Sequence, residues 1–225
     1  MSFAGELKND SIDIWNNILD HLFIKEISND TLPKEKFIAY LLQDRIFLKE
    51  FCILLDKGMR MTLDKNIKKL FSELIRGITK IEMKMQDELL ELLRYTDYDT
   101  TVASLPNETT LDYIYDTRKL STEPIKLYEL ISFIAPCPWT YYEIADKISK
   151  ENRIKDIVTK RWIEFYCSDE SKQQVDHITH MLNDISKDLT QNEKSVMKRY
   201  FKMACRNELD FWNMAYNTKL TRISY

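Results

Sequence analysis

Glycine is nearly absent from this chain of 225 residues, in which only Gly5, Gly58 and Gly77 occur. Hairpins and tight turns rely on glycine where the backbone adopts positive φ angles, and sheets need such turns at regular intervals. So few glycines argue against a protein built from many short strands and favour long helices with short connections. A glycine-rich phosphate-binding loop is excluded for the same reason.

Apolar residues recur at every third or fourth position through most of the sequence, the spacing of one face of an α-helix. The length is sufficient for one large domain with a sizeable core. We therefore expect an all-α protein, a single bundle of seven or eight helices in one domain over residues 1–225. The predicted helices cover residues 11–28, 33–58, 65–94, 109–120, 124–145, 152–166, 169–185 and 190–215.

Several positions are typical of helix ends and crossings. Thr190 followed by Glu193 has the spacing of a capping box at the start of the last helix. Thr109 or Thr110 is the expected cap of the helix that runs to residue 120. Gly77, in the middle of a predicted helix, is a candidate for a close crossing of two helices.

The charge balance excludes some kinds of partner. The formal net charge is −3 and the isoelectric point is about 5.8, whereas direct nucleic-acid binding calls for a basic face. The sequence contains no apolar run of 18 residues, and its amino terminus lacks the apolar core of a signal peptide. We therefore expect a soluble, cytoplasmic protein that binds neither nucleic acid nor membrane.

Cysteines and histidines do not form a recognisable metal site. The four cysteines are widely spaced and include no Cys-x-x-Cys pair, which also disfavours a disulfide framework. None of the three histidines follows a glutamate by three positions, as the ligand pairs of a di-iron bundle would require. His21 on an amphipathic helix is more typical of a structural residue than of a haem ligand. No metal and no cofactor are expected.

The segment 133–145 contains the most unusual local chemistry. Cys137 lies between Pro136 and Pro138, and the second proline disfavours helical geometry at the cysteine itself. A distorted turn there would expose the sulfur, and Tyr141 would lie on the same helical face one turn later. The alternative is that Cys137 is a small buried core residue, as free cysteines usually are.

Two carboxylates lie in phase with apolar residues. Asp44 follows Tyr40 and precedes Phe47 on one helix, and Glu208 lies between Ala204 and Phe211 on another. A carboxylate facing a core costs free energy unless it is paired or faces a polar cavity. Periodicity gives the face on which each acid lies, but it does not show that the two meet.

At these positions the chain resembles the TenA family, also called thiaminase II or aminopyrimidine aminohydrolase, whose helical fold is shared with haem oxygenases. The motifs follow the family's order along most of the chain. They are Trp15 with His21-Leu-Phe23 and Thr31-Leu-Pro33, Tyr40-Leu-Leu-Gln-Asp44, Pro136-Cys-Pro-Trp-Thr-Tyr-Tyr-Glu143, Trp162-Ile-Glu-Phe-Tyr-Cys-Ser168 and Glu208-Leu-Asp-Phe-Trp212.

The resemblance implies a role for each candidate residue. It implies that Cys137 is the nucleophile, that Glu208 is the acid acting on the pyrimidine ring, and that Asp44 binds the aminopyrimidine. It further implies that the pocket is lined by Tyr115 (with Tyr113 two residues away), Tyr141, Tyr166 and Phe47, which stands where some members have tyrosine.

The resemblance also implies the reaction and the assembly. The expected activity is hydrolysis of 4-amino-5-aminomethyl-2-methylpyrimidine, or of thiamin, to hydroxymethylpyrimidine in thiamin salvage, with no cofactor. The family commonly forms homotetramers, so a homo-oligomer is expected. An alternative is a pyrimidine- or thiamin-binding protein of the same fold that has lost turnover, and the preferred substrate stays open.

Overall fold

The structure, a computed structural model, describes residues 1–101, 103–151 and 154–223. Within these ranges the chain is almost entirely helical, with two strands of two residues each, which confirms the predicted all-α class. In chain order the α-helices are α1 (Phe3–Asp10), α2 (Ile12–Leu19), α3 (Leu22–Ser28), α4 (Lys34–Arg60), α5 (Lys65–Gly77), α6 (Met83–Leu92), α7 (Glu108–Thr122), α8 (Leu127–Ile134), α9 (Pro136–Ser149), α10 (Ile157–Tyr166), α11 (Asp169–Ser186) and α12 (Gln191–Asn217).

Several helices continue one another across short breaks. One or two residues separate α1, α2 and α3, Ala135 alone separates α8 from α9, and a π-helical segment, Ile78–Glu82, joins α5 to α6. With the π-helical segment counted as helix, and with breaks of at most two residues ignored, the helices of the described ranges form seven runs, in agreement with the prediction. The predicted start at Asn152 lies outside the described residues, and α10 itself is capped by the carboxylate of Asp156.

The core lies around the two longest helices, α4 and α12, which have 27 residues each. They pack against each other, and both also contact α7 and α8. Three tryptophans, Trp15, Trp162 and Trp212, are completely buried. Truncation of a side chain of this size in a core typically costs about 3–5 kcal/mol. Among the helices of the described ranges, none is both long and apolar enough to cross a membrane.

One glycine does allow two helices to meet closely, but it is Gly58 and not the predicted Gly77. A Cβ atom at Gly58 would lie 2.5 Å from Cζ of Phe71 on α5, so any side chain there would clash with the ring. At Gly77 such an atom would first meet Nε2 of Gln174, at the ordinary distance of 3.4 Å. The tight packing of α4 on α5 therefore depends on Gly58.

The predicted loop between α6 and α7 is present over its described residues. It contains a 3₁₀ turn and the strand β1 (Tyr98–Asp99), which pairs antiparallel with β2 (Thr221–Arg222) near the end of the described chain. The cap of α7 is Asn107, whose side-chain oxygen accepts from the backbone N–H of Thr110 at 2.9 Å. The predicted caps Thr109 and Thr110 are therefore wrong, because the cap lies two or three residues earlier than the apolar pattern suggests.

Gln43, the residue before Asp44, fastens this loop to α4. Its side chain is 1% exposed and its amide group donates to two loop carbonyls, at 2.6 and 2.7 Å. Its oxygen accepts from the backbone N–H of Asn107 and from the hydroxyl of Thr110. A fully hydrogen-bonded buried amide of this kind is a structural residue, and it fixes the position of α7 relative to α4.

Candidate active site

A cavity of about 450 Å³ lies among α4, the α5–α6 run, α9, α10 and the start of α11. Buried residues form its inner wall, and exposed residues such as Arg76 and Glu170 form its mouth. The wall is Asp44, Leu48, Phe51, Leu74, Arg76, Gly77, Ile78, Ile81, Glu82, Cys137, Pro138, Tyr141, Phe165, Tyr166, Ser168, Glu170, Ser171 and Gln174.

Cys137 reaches this wall because of a helix break. Helix α8 ends at Ile134, and Ala135 alone separates it from Pro136, which starts α9. A proline fits the first turn of a helix because the N–H group it lacks would have no partner within the helix. Cys137 as a whole residue is therefore half-buried on the cavity wall. Tyr141 lies on the same wall one turn later, as the spacing predicted.

The thiol of Cys137 lies beside the carboxyl group of Glu208, which reaches it from α12, and each group affects the pKa of the other. Burial raises the pKa of the Cys137 thiol well above its usual range, and the nearby carboxyl groups of Glu208 and Asp44 raise it further. The sulfur is therefore a neutral thiol in the free protein, and it needs a proton acceptor in order to become a nucleophile.

Glu208 has the properties of that acceptor. Its side chain is 2% exposed, and its Oε1 accepts from the hydroxyl of Tyr113 at 2.6 Å. Burial raises the pKa of the Glu208 carboxyl to about 7, although the hydrogen bond from Tyr113 and the nearby thiol of Cys137 act against this rise. A carboxyl group that titrates near neutrality can both take and give a proton.

Asp44, on α4, is the other acid that the sequence predicted. It lines the cavity and is 4% exposed. Its Oδ2 accepts from Nε2 of Gln86 at 2.6 Å. Burial raises the pKa of Asp44 well above its usual range, and the neighbouring carboxyl group of Glu82 adds to the effect. The hydrogen bond from Gln86 supplies no positive charge, and Arg45, which is ion-paired with Asp87, is the smallest of the influences on the pKa of Asp44, so an ionised Asp44 has little compensation.

Glu82 is a cavity acid that sequence reasoning missed. It ends the π-helical segment, is 9% exposed, lines the cavity and accepts from the hydroxyl of Tyr166. Burial raises the pKa of the Glu82 carboxyl to about 7. The available signal was its position one turn before Gln86, on the stripe that includes Ile78 and Leu89, which is the same argument that identified Asp44. π-Helical turns frequently occur at functional sites.

Aromatic rings complete the inner wall. Tyr141 and Tyr166, both predicted, line the cavity with ring centroids 4.8 Å apart. Tyr40 stands behind them, where its hydroxyl accepts from Nε1 of Trp162 at 3.2 Å. Burial raises the pKa of Tyr40, Tyr141 and Tyr166 well above the usual range, so all three phenols stay neutral.

Two predicted pocket residues lie elsewhere. Tyr115 is 66% exposed on the outside of α7, so its assignment to the pocket is wrong. The phenol that enters the site belongs to Tyr113, because residues two apart on a helix point to nearly opposite sides. Phe47 is buried behind the cavity wall, with its ring 4.1 Å from that of Tyr113 and 5.3 Å from that of Phe51.

The histidines have structural or surface positions. His21 caps α3, since its Nδ1 accepts from the backbone N–H of Phe23 at 3.1 Å, and its Nε2 lies 3.2 Å from Oδ1 of Asn213. His177 and His180 are exposed on α11. Among the described residues, no group of three histidine, cysteine, aspartate or glutamate side chains could hold a metal ion.

The sequence matches a family model over residues 10–218, that of the TENA/THI-4/PQQC family. The chain belongs to this family. The aminopyrimidine aminohydrolase of Halalkalibacterium halodurans is 30% identical to it over 98% of each chain. The match extends over nearly the full length of both proteins, so the likeness of this TenA-family protein to its relative covers the whole helical domain.

Solved structures agree with this assignment. A TenA homologue from Pyrococcus furiosus superimposes with a TM-score of 0.83 at 25% identity, covering 95% of this chain and 100% of that one. Haem oxygenase-1 from Synechocystis, in complex with haem, superimposes with a TM-score of 0.63 at 13% identity, covering 95% of this chain and 91% of that one. At that identity the second likeness concerns the fold alone, and it confirms the predicted haem-oxygenase-like architecture of the TenA-family protein.

Proposed function

We propose that this protein is a hydrolase that converts 4-amino-5-aminomethyl-2-methylpyrimidine, or thiamin, to hydroxymethylpyrimidine in thiamin salvage. The observation that carries the proposal is a cysteine thiol beside a buried glutamate, at an aromatic cavity that also contains Asp44. The name of the H. halodurans relative supports the same substrate class.

The cavity suits a flat heteroaromatic ring. Aromatic and aliphatic side chains form most of its wall, and a few polar groups converge on it, the usual composition of a small-molecule site. In our proposal the ring lies against Tyr141 and Tyr166. The carboxylate of Asp44 accepts a hydrogen bond from the 4-amino group and so fixes the ring's orientation.

The first chemical step is addition of the thiol to the ring. The sulfur of Cys137 bonds to carbon C6 while Glu208 takes the thiol proton and passes it to nitrogen N1, so the ring becomes a neutral adduct. Glu208 suits this transfer because its pKa of about 7 lies near neutral pH. Proton transfer by a positioned group of this kind typically contributes about 10²–10⁴-fold to the rate.

The second step expels the amine. The lone pair of the 4-amino group forms a double bond to C4, and the C4–C5 electron pair moves to form a double bond to the exocyclic carbon. The bond between that carbon and the protonated amine breaks with release of ammonia, or the bond to the thiazolium nitrogen breaks with release of the thiazole from thiamin. Positive charge develops on the 4-amino nitrogen, where the carboxylate of Asp44 stabilises it.

The last step restores the aromatic ring. Water adds to the exocyclic carbon and gives up a proton, and the electron pair returns through the ring to the 4-amino nitrogen. Glu208 then removes the proton from N1, the bond between C6 and sulfur breaks, and the thiolate of Cys137 recovers its proton. The sum is one water consumed, one amine released and an unchanged enzyme.

We propose in addition that the chain forms one domain, acts in the cytoplasm and assembles as a homotetramer. A surface suited to self-association lies on α7, where Leu111 is 48% and Tyr115 is 66% exposed one turn apart. Light scattering on the purified protein tests the assembly, and a monomer would contradict it.

Product formation tests the proposed function. Purified wild type, Cys137→Ala and the matched control Cys52→Ala are assayed with the aminopyrimidine and with thiamin. We expect wild type and Cys52→Ala to form hydroxymethylpyrimidine, and Cys137→Ala to be slower by about 10³-fold or more. Inactivity of all three proteins with retained pyrimidine binding would identify a binding protein instead, and absence of binding would overturn both readings.

A further inference from the structure

We propose that Glu82, held in place by Tyr166, binds the positively charged group that leaves in the reaction, either the protonated amine or the thiazolium ring. This inference rests on the proposed function and assigns a specificity-determining role within the same cavity. The shared feature that Glu82 recognises is the charge of the leaving group, since the two groups differ in size and shape.

Glu82 has the right location for this role. Its side chain lines the cavity and is 9% exposed, so it is largely removed from bulk water. It lies one helical turn before Gln86, which donates to Asp44. Side chains one turn apart have Cβ atoms about 5–6 Å from each other. Glu82 is therefore next to the group that anchors the ring, on the same side of the helix.

The chemistry of the ring points to the same place. The leaving group is carried on C5, between C4, whose amino group Asp44 binds, and C6, which Cys137 attacks. Glu82, Asp44 and Cys137 line the same cavity. The charge of Glu82 also contributes to the raised pKa of the other two groups. A carboxylate near those two groups is also near the substituent between them.

The cavity lacks a buried positive charge to balance its acids. The hydrogen bonds to Asp44, Glu82 and Glu208 come from an amide and from phenols, all of which are neutral. The single cationic side chain of the described cavity wall is Arg76, which is exposed at the mouth. A ligand that brings its own positive charge supplies the partner that the inner wall does not provide.

The role of Tyr166 is to position Glu82. Its hydroxyl donates to Oε1 of Glu82 and its ring packs on Tyr141, so one oxygen of the carboxylate is fixed and the side chain keeps one orientation. The second oxygen remains for the ligand. Because the alcohol product is neutral, Glu82 favours the charged substrate over the product and assists product release.

Ligand binding measured by calorimetry tests the inference. All variants carry Cys137→Ala, so that the substrate is not consumed during the measurement. The ligands are the aminomethylpyrimidine, which is cationic at neutral pH, and the neutral hydroxymethylpyrimidine. The added substitution is Glu82→Gln, which keeps the size of the side chain and an acceptor for Tyr166. The matched control is Glu88→Gln, the same change at an exposed position on α6.

We expect Glu82→Gln to weaken binding of the cationic ligand about tenfold or more, the size typical of losing a hydrogen bond between charged groups. Binding of the neutral ligand should change less than about twofold, and Glu88→Gln should change neither. Glu82→Asp, which keeps the charge, should restore part of the preference even if the glutamine variant is poorly folded. Tyr166→Phe should reduce the preference in the same direction.

Equal weakening of both ligands by Glu82→Gln would overturn the assignment while leaving the proposed function standing. If the protein with native Glu82 bound neither pyrimidine, the proposed function itself would fail. The two failures are therefore distinguishable in one set of titrations.

Discussion

The carboxyl groups on the two sides of α9 differ in whether a positively charged group contacts them. On the outer side Glu143 accepts from the ammonium group of Lys8 at 2.6 and 2.8 Å, and from the indole nitrogens of Trp15 at 2.9 Å and Trp139 at 2.8 Å. On the inner side, three carboxyl groups face or adjoin the cavity with neutral hydrogen-bond donors alone. Both sides are built from the same short segment, in which Cys137 and Tyr141 alternate with Trp139 and Glu143.

The difference separates a structural acid from a functional one. Glu143 has a full positive charge beside it, and the same ammonium group lies 5.0 Å from the ring of Trp15, so the cluster stabilises the packing of α1, α2 and α9. A carboxylate kept from water without a counter-charge destabilises the protein and is retained where a ligand supplies that charge. The presence or absence of a counter-charge, together with the deeper burial of the cavity acids, therefore distinguishes the two roles.

The largest effect is expected when the same substitution is made at one acid on each side of α9, and the two variants are compared. Glu208→Gln should lower kcat/KM by about 10³-fold, within the range lost with an acid–base group. Glu143→Gln, assayed at low temperature where the variant is folded, should stay within about threefold of wild type, because Glu143 is remote from the reacting atoms. Similar losses in the two variants would contradict the division of roles.

The pH dependence of stability separates the acids in a second way. The pKa of Glu208 is about 7 in the folded protein, above its value in an unfolded chain, so the folded state holds the proton more tightly. Wild-type stability should therefore fall as pH rises from about 4.5 to 7. Glu208→Gln removes this loss. The free energy of unfolding of the variant, relative to that of wild type, should therefore increase by about 3 kcal/mol from pH 4 to pH 8.

Urea unfolding at several pH values measures this gain. A variant whose stability differs from that of wild type by a constant amount at every pH would show that Glu208 is not held in the protonated form by the fold. Such a result would also remove the physical basis for its role as a proton acceptor from Cys137.

Loss of the structural acid should reduce stability instead. Glu143→Gln removes the charge that Lys8 and the two indole groups contact, and we expect a loss of about 2 kcal/mol, since hydrogen bonds to charged groups are worth roughly 1.5–3 kcal/mol and this cluster is partly exposed. Lys8→Met should cost less, because both tryptophans still donate to Glu143. Unchanged unfolding midpoints in both variants would refute a stabilising role for the cluster.

The smallest effect concerns the tyrosines of α7. Tyr113→Phe removes the hydroxyl that donates to Glu208 and should lower kcat about tenfold, the equivalent of about 1.4 kcal/mol. Tyr115→Phe, the matched change on the exposed side, should leave kcat within about twofold. A larger loss at Tyr115 than at Tyr113 would restore the assignment made from the sequence motif.

Local sequence patterns predicted much of the fold and part of the site. The all-α class, the seven or eight helical runs and the capping box at Thr190 and Glu193 follow from spacing alone, and the structure has all three. Asp44 was found because a carboxylate in phase with apolar residues is energetically unusual. The assignment of the phenol to Tyr115 failed because motif spacing leaves an uncertainty of two residues, which reverses the face of a helix.

Other parts of the site depend on three-dimensional arrangement. Glu82 lies on the helix face of Ile78 and Gln86, so its spacing indicated an inward-facing acid, but the cavity that it shares with Asp44 and Cys137 is formed by other helices. Phe47 has the burial expected of a residue on the stripe of Asp44, yet it packs on Tyr113 behind the wall. Neither position can be read from a single helix.

The sequence by itself determined which elements form and which residues face inward, because helix periodicity, capping and proline placement act within a few positions along the chain. Only the tertiary structure decided which inward-facing acids meet, because that depends on how helices far apart in sequence pack together. Cys137 and Glu208 are brought close together by the packing of α9 against α12. Glu143, six residues from Cys137, received its counter-charge from Lys8 by the same process, and so became a structural acid.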